Sequence, residues 1–351
     1  MTLLRFKHVC LESFAVELPP NEVTSEGIED RLSATYDRLA IPKGSLERVS
    51  GVQTRFHWDK NYRPSDGATA AAREALAGVG FDLSEVRSVL HCSISRDYFE
   101  PATAVFVHDR LGLDPNGIVL DISNACLGFS TGMNMLANLI ESGAVKAGLV
   151  VSCETTDHVT NATLEKLSAD ESTRKEFLEL MPTFTLGSGA VAYVLCHESI
   201  ATRGHRIVGS STWSETSHSE LCIGNEDFCF FSADLNPIMR SDPTAMLRQV
   251  VPMTTRAWQE CMGAVGWSAE DLDHIVTHQI GRMVDDAMLR GAGLDGSKNF
   301  SIFQKYGNQV SAGLPTALAI ASKERNFKRG DKILMIGFGS GMVATTTILE
   351  W

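Results

Sequence analysis

Asp121-Ile-Ser-Asn-Ala-Cys126-Leu-Gly-Phe-Ser-Thr-Gly132 is the stretch whose reading decides the fold. Ahead of it, the apolar run Gly117 to Ile122 reads as a strand. Behind it, Leu127, Met133, Leu136 and Leu139 fall at helical spacing and predict one buried helix face. A strand that turns directly into a helix is the building unit of an α/β fold. The turn also leaves Cys126 at a helix N-terminus, where unpaired backbone N–H groups and the helix dipole favour an anion. Thiolate is the nucleophilic form of cysteine, so the position suits a reactive thiol. The ordinary alternative is a small buried hydrophobe.

Working outward, the same grammar continues on both sides. Residues 3–18 read as a strand ending at Pro19-Pro20, and 25–40 as a helix carrying Ile28, Leu32, Tyr36 and Leu39. An Ala-rich helix follows from Gly67 to Val79, then a strand from Val86 to Ser95. Pro101 to Leu111 reads as a helix opened by its proline. Beyond the Cys126 unit come a strand at Ala147 to Ser152, a polar helix-compatible insertion at 157–181, and a turn into a buried strand at Phe184 to Cys196. Residues 212–245 look irregular. Their Cys222 and Cys229 lack further ligands at zinc spacing and read as structural cysteines.

From Pro243 the pattern repeats. Val79-Gly-Phe-Asp-Leu-Ser-Glu-Val-Arg-Ser-Val-Leu-His-Cys-Ser93 can be laid on Val265-Gly-Trp-Ser-Ala-Glu-Asp-Leu-Asp-His-Ile-Val-Thr-His-Gln279. Each copy ends a helix at Val-Gly-aromatic, takes an acidic turn and enters an apolar strand. Gly187-Ser-Gly-Ala-Val-Ala192 is echoed by Gly339-Ser-Gly-Met-Val-Ala344. The chain is a duplicated α/β unit, with halves expected at 1–212 (carrying the insertion) and 213–351.

Composition narrows the function. A net charge of -12 argues against nucleic acid as the main partner. No apolar run is long enough to span a bilayer, and the N-terminal residues lack a signal peptide's apolar core. Eight scattered cysteines do not form a disulfide pattern, so the expected setting is a reducing cytoplasm.

The second half supplies further chemistry. Leu272 to Thr277 delivers His278-Gln279 at a strand's carboxyl end, where α/β sheets place ligands. His274 and His278 share a strand, not a helix face, which disfavours a metal pair. Tyr306-Gly-Asn308 enters an Ala-rich helix at the position that Cys126 holds in the first half. Asn308 either caps that helix or turns its amide toward an oxyanion. Gly337-Phe-Gly-Ser-Gly-Met342 runs into a β-branched strand rather than a helix. That excludes a dinucleotide loop and leaves a tight turn presenting backbone N–H groups.

Taken in order, Cys126, His278 at the head of His-Gln, Asn308 in Tyr-Gly-Asn and the 337–342 turn resemble the thiolase superfamily, in its 3-oxoacyl-ACP synthase III branch. Ser95-Arg-Asp-Tyr-Phe-Glu100-Pro-Ala-Thr-Ala104, Asn124-Ala-Cys-Leu127 and Gly337-Phe-Gly-Ser-Gly341 further resemble the OleA group of olefin-biosynthesis condensing enzymes. The resemblance implies a layered αβαβα fold and an acyltransferase that joins two long-chain acyl-CoA thioesters head to head without decarboxylation. In the roles it implies, Cys126 carries the acyl group, with its thiolate favoured by the helix N-terminus. His278 and Asn308 hold the enolate, and Glu100 takes the α-proton, its carboxyl raised by burial among acyl chains. The N–H groups of Cys126 and Ser340 form the oxyanion hole. It also implies a homodimer that exchanges Glu100 between subunits, no cofactor beyond the CoA thioester substrates, and downstream pathway enzymes as partners. Two other readings compete: a decarboxylative synthase or starter-unit acyltransferase using malonyl-ACP, and a non-catalytic subunit of the same fold. Malonyl-ACP enzymes continue His-Gln-Ala-Asn and then an arginine, whereas this chain has His278-Gln-Ile-Gly-Arg282, which argues against that substrate.

Overall fold

A computed structural model of the chain describes residues 2–224 and 238–351; Cys229 lies outside them. The main sheet contains strands β1 (Val9–Glu17), β2 (Val86–His91), β3 (Ile118–Asp121), β4 (Ala147–Glu154), β5 (Gly189–His197) and β6 (His205–Ser214). It continues with β7 (His274–Thr277), β8 (Asn299–Phe300), β9 (Lys332–Gly339) and β10 (Val343–Glu350). Their spatial order is β8-β7-β9-β10-β6-β1-β5-β4-β2-β3, with Thr2–Arg5 added beside β6. The order is a palindrome about β6 and β1. In each half the outer three strands run parallel and the inner pairs antiparallel. The halves join through a short pairing of Cys10 with Arg206 and Leu11 with His205. The duplication legible in the sequence is therefore a pseudo-two-fold in space.

Helices complete five layers. On the first half's outer face lie α1 (Pro64–Ala77) and α2 (Thr103–Leu111). The middle helices are α3 (Gly128–Glu141) and α8 (Gly313–Glu324), and the second half's outer face carries α6 (Pro243–Val265) and α7 (Arg282–Ala292). Between α3 and α6 in the chain stand α4 (Asp157–Ser168) and α5 (Arg174–Leu180), which belong to the insertion. Alternation along β4 explains the layering. Leu149 and Val151 join the outer core with Ala71, Ala75 and Val107, while Val150 joins the central core with Phe129, Met133, Leu314 and Leu318. All eight residues of β4 are buried, which is why it reads as a continuous apolar run.

Four expectations change. The 25–40 segment is two short helices, Ser25–Arg31 and Ser33–Arg38, separated at Leu32. Helix α2 starts at Thr103 rather than Pro101, because the Asp121 carboxylate accepts the N–H groups of Thr103 (2.8 Å) and Ala104 (2.9 Å) and caps it there. The 157–181 insertion is more than a polar appendage. Its Leu164, Leu167, Phe177 and Leu180 form a core with Ile28, Leu32, Tyr36 and Phe184. The expected division at 212/213 cuts through β6, which the pseudo-symmetry assigns whole to the second half as the counterpart of β1.

Gly187 is one place where the halves meet without room for a side chain. Its N–H donates to the Asn308 carbonyl at 2.9 Å, and a Cβ there would sit 2.2 Å from the Tyr306 carbonyl oxygen. Gly187→Ala should cost about 1–3 kcal/mol through backbone displacement. Thermal unfolding checks this, with a midpoint several degrees lower as the expected result.

Candidate active site

The Cys126 turn is built by strain and close packing. After β3 ends at Asp121, Ala125 takes a left-handed φ of 45°, a conformation that costs a non-glycine residue about 1–3 kcal/mol. Leu127 N–H donates to the Asn124 carbonyl at 2.9 Å, Gly128 N–H to the Ala125 carbonyl at 3.1 Å, and Asn124 Nδ2 to Thr131 Oγ1 at 2.8 Å. Helix α3 begins at Gly128, so Cys126 sits just ahead of it and not within its first turn. Burial pushes the Cys126 thiol well up, and the nearby Cys222 and Glu154 push it further, against a small opposing pull from its own backbone N–H. The resting side chain is a thiol. Desolvation thus opposes the thiolate that a helix N-terminus favours.

His278 follows β7 and is almost wholly buried, its ring edge-on to Phe338 with centroids 5.1 Å apart. Neither ring nitrogen has a hydrogen-bond partner among the described residues. Burial lowers its pKa from the ordinary 6.5 to about 4. At neutral pH it is therefore an uncharged imidazole with one donor and one acceptor free. Gln279, next in line, is fully buried. Its Nε2 donates to the Thr277 carbonyl at 2.6 Å, and its Oε1 accepts the N–H groups of Ile302 (2.7 Å) and Phe303 (3.2 Å). It thereby ties the histidine strand to the segment that leads into Asn308.

Asn308 fills the capping role left open by the sequence and leaves its amide nitrogen available. Its Oδ1 accepts Val310 N–H at 2.9 Å and caps the turn, while its Nδ2 makes no hydrogen bond among the described residues. Its backbone is held by Thr185 and Gly187, 2.8 and 2.9 Å away, so first-half residues fix a second-half donor. The 339–342 turn closes the other side. A Cβ on Gly339 would lie 3.5 Å from the Cys126 amide nitrogen, and one on Gly128 would lie 3.6 Å from Ser311 Cβ. The end of β9 thus lies against the Cys126 backbone, and the 308–312 turn against the start of the helix that follows it.

Two sequence-selected residues stand differently. Ser340 lies in the hairpin turn beside Cys126, and its side chain hydrogen-bonds Cys222, whose thiol burial raises and this bond lowers. Cys222 therefore faces the site and is not a remote structural cysteine. Glu100 is not gathered with the others. It is exposed on the loop before α2, among exposed Ile94, Tyr98 and Phe99. Its own chain does not bury it.

Sequence reasoning missed Glu154, Ser311 and the tethering role of Gln279. The signal for Glu154 was available: a carboxylate ending a fully buried strand at the sheet's ligand-binding edge. No group of three His, Cys, Asp or Glu residues among the described residues could hold a metal ion.

The family profile of 3-oxoacyl-[acyl-carrier-protein] synthase III matches residues 120–216, and its C-terminal profile residues 262–351. Over 357 residues, 99% of this chain and 100% of the relative, the chain is 33% identical to the acyl-CoA:acyl-CoA alkyltransferase of Shewanella oneidensis. The chain belongs to the 3-oxoacyl-ACP synthase III family, in its OleA-type branch. The Xanthomonas campestris alkyltransferase is likewise 33% identical over 346 residues, covering 99% of each chain. A crystal structure of Xanthomonas campestris OleA, a cysteine-to-serine variant with bound lauric acid and lauroyl-CoA, matches with a TM-score of 0.92. It is 32% identical and covers 99% of this chain and 100% of that one. A β-ketoacyl-ACP synthase III of Staphylococcus epidermidis is more distant within the family, at 26% over 350 residues.

A neutral His278 has a measurable consequence. The single-turnover acylation of Cys126 by an acyl-CoA should hold its rate as pH falls from about 7 to about 5, and decline only toward about 4. The sign for stability is the same. The unfolded chain takes up a proton near 6.5 that the folded site resists until about 4, so acidification through that window destabilises the fold. Stopped acylation followed by intact mass against pH checks the first point; an acidic limb near 6.5 would contradict it.

Proposed function

We propose that the protein catalyses the non-decarboxylative condensation of two acyl-CoA thioesters, with long-chain acyl groups, through an acyl-Cys126 intermediate. The observation that carries this reading is a β9 end that lies against the Cys126 backbone and packs its Phe338 against an uncharged His278, beside an Asn308 whose Nδ2 has no hydrogen-bond partner among the described residues, in a chain related over its full length to acyl-CoA:acyl-CoA alkyltransferases.

In the first half-reaction Cys126 Sγ attacks the thioester carbonyl. Because the resting sulfur is a thiol, its proton passes to the free acceptor nitrogen of His278 and then to the departing CoA sulfur. The N–H groups of Cys126 and Ser340 hold the tetrahedral oxyanion. In the second, a base removes the α-proton of another acyl-CoA. Glu100 is that base, and its exposure on an apolar loop supports delivery from a second copy of the chain, whose site would desolvate it. The enolate oxygen accepts hydrogen bonds from His278 and from Asn308 Nδ2. The enolate carbon attacks acyl-Cys126, forming the carbon–carbon bond and expelling the Cys126 sulfur. The product is a 2-alkyl-3-oxoacyl-CoA, which hydrolysis releases as a β-keto acid and CoA. No cofactor is required beyond these thioesters. No helix among the described residues is long and apolar enough to cross a membrane, and the absence of a disulfide pattern supports a reducing cytoplasm.

Glu100→Ala should keep burst acylation of Cys126 while condensation falls by at least about a hundredfold. Mass spectrometry of the acyl-enzyme alongside product quantification separates the two steps. Carbon dioxide release from malonyl-ACP at a comparable rate would instead support a decarboxylative synthase.

Subunit exchange has its own test. Cys126→Ala and Glu100→Ala proteins, each inactive, should on mixing regain roughly a quarter of wild-type activity, since half of random dimers hold one complete site of two. No recovery after verified exchange would place Glu100 in its own subunit's chemistry or outside the reaction.

A further inference from the structure

Glu154 ends strand β4 and is 1% exposed, yet no cation pairs with it among the described residues. A buried, unpaired carboxylate is costly unless hydrogen bonds replace its lost water. Here they do, and they come from both halves. Oε1 accepts Ser311 Oγ at 2.5 Å, Ile94 N–H at 3.1 Å and, more weakly, Ser311 N–H at 3.4 Å. Oε2 accepts Ser95 Oγ at 2.9 Å and Ser95 N–H at 3.1 Å. Its backbone carbonyl accepts Trp58 Nε1 at 3.0 Å, which holds the residue itself in place.

What these donors belong to gives the residue its meaning. Ile94 and Ser95 open the loop that carries Glu100, whose far foot is pinned by Asp121 through Thr103 and Ala104. Ser311 lies in the turn that Asn308 caps, and its hydroxyl also approaches the Cys92 carbonyl and the Ser152 hydroxyl, both at 2.8 Å. We propose that Glu154 is a positioning residue for condensation, tying the loop of the base Glu100 to the turn of the enolate donor Asn308 through its two carboxylate oxygens. This rests on the reaction proposed above. In a dimer that exchanges Glu100, the same carboxylate links the base sent outward to the enolate site kept inside.

Chemistry explains why a carboxylate stands here. An ionised carboxylate offers two acceptor oxygens with about four lone-pair sites, which suits this set of donors. Glutamine would keep one acceptor and turn an NH2 toward donors on the other side, breaking one arm of the tie. Acylation uses Cys126, His278 and the Cys126 and Ser340 N–H groups, none of which Glu154 hydrogen-bonds. Condensation needs Glu100 and Asn308 in register, where a displacement of about 1 Å costs on the order of a hundredfold in rate. Loss of the tie should therefore strike the second step selectively.

The test compares wild type with Glu154→Gln, Ser311→Ala and the double variant. Burst acylation of Cys126 should stay within about threefold of wild type, while condensation falls on the order of a hundredfold in Glu154→Gln. Ser311→Ala should fall in the same direction, and the double variant no further than Glu154→Gln alone, because both remove the same arm. A readout independent of the reaction is the pH dependence of Cys126 alkylation by iodoacetamide. Replacing the Glu154 carboxylate should speed the alkylation at a given pH in Glu154→Gln but leave it unchanged in Ser311→Ala. Should Glu154→Gln fail to fold, Ser311→Ala decides on the acylation-to-condensation split alone. Wild-type condensation in either single variant, an equal loss in both steps, or multiplicative losses in the double variant would overturn the proposal. If wild type itself gave no condensed product, the reaction reading would fall and this role with it; an active wild type with active variants would remove only Glu154.

Discussion

Cys126 is held in place by contacts from the opposite half of the chain. The hairpin turn after β9 lies against its backbone, and the Asn308 turn packs against the start of its helix. Behind both turns, α3 and α8 fill the layer between the two half-sheets and share one apolar core. Neither half alone could hold Cys126, His278 and Asn308 in register, because each supplies only part of the set. The short β1–β6 pairing and the central helix layer are therefore as much a part of the site as its side chains.

Burial at that junction governs the charge state. The thiol is pushed up and the imidazole down, so the resting pair carries no formal charge. An uncharged pair in a low-dielectric site can accept and return a proton without rearranging solvent, and fixed N–H donors act strongly on an oxyanion there. The buried carboxylate of Glu154 sits close enough to raise the thiol further. Its hydrogen bonds fasten segments from both halves, and no cation pairs with it among the described residues.

Much of the fold was legible because its cause is local. Strand alternation, helical spacing and the echo of Val79–Ser93 in Val265–Gln279 predicted the duplicated α/β units, and the palindromic sheet follows that repeat. Boundaries were less legible. Pro101 looked like a helix opener, but the capping carboxylate at Asp121 is distant in sequence and starts the helix at Thr103. The 157–181 segment looked polar because its apolar residues are few and widely spaced; their partners, Ile28, Leu32 and Tyr36, lie far back in the chain.

By itself the sequence determined the order and type of the elements, and which residues could do chemistry: Cys126, His278, Asn308, Ser340 and Glu100, each marked by a strand end, a turn or a motif. Tertiary structure decided their states and their company. It pushed the Cys126 thiol up and the His278 imidazole down, since desolvation depends on everything packed around a group and not on its neighbours in sequence. It drew Cys222 to Ser340, joined Glu154 to Ser311, and left Glu100 on the surface. These are contacts between residues far apart along the chain, and no local pattern encodes them.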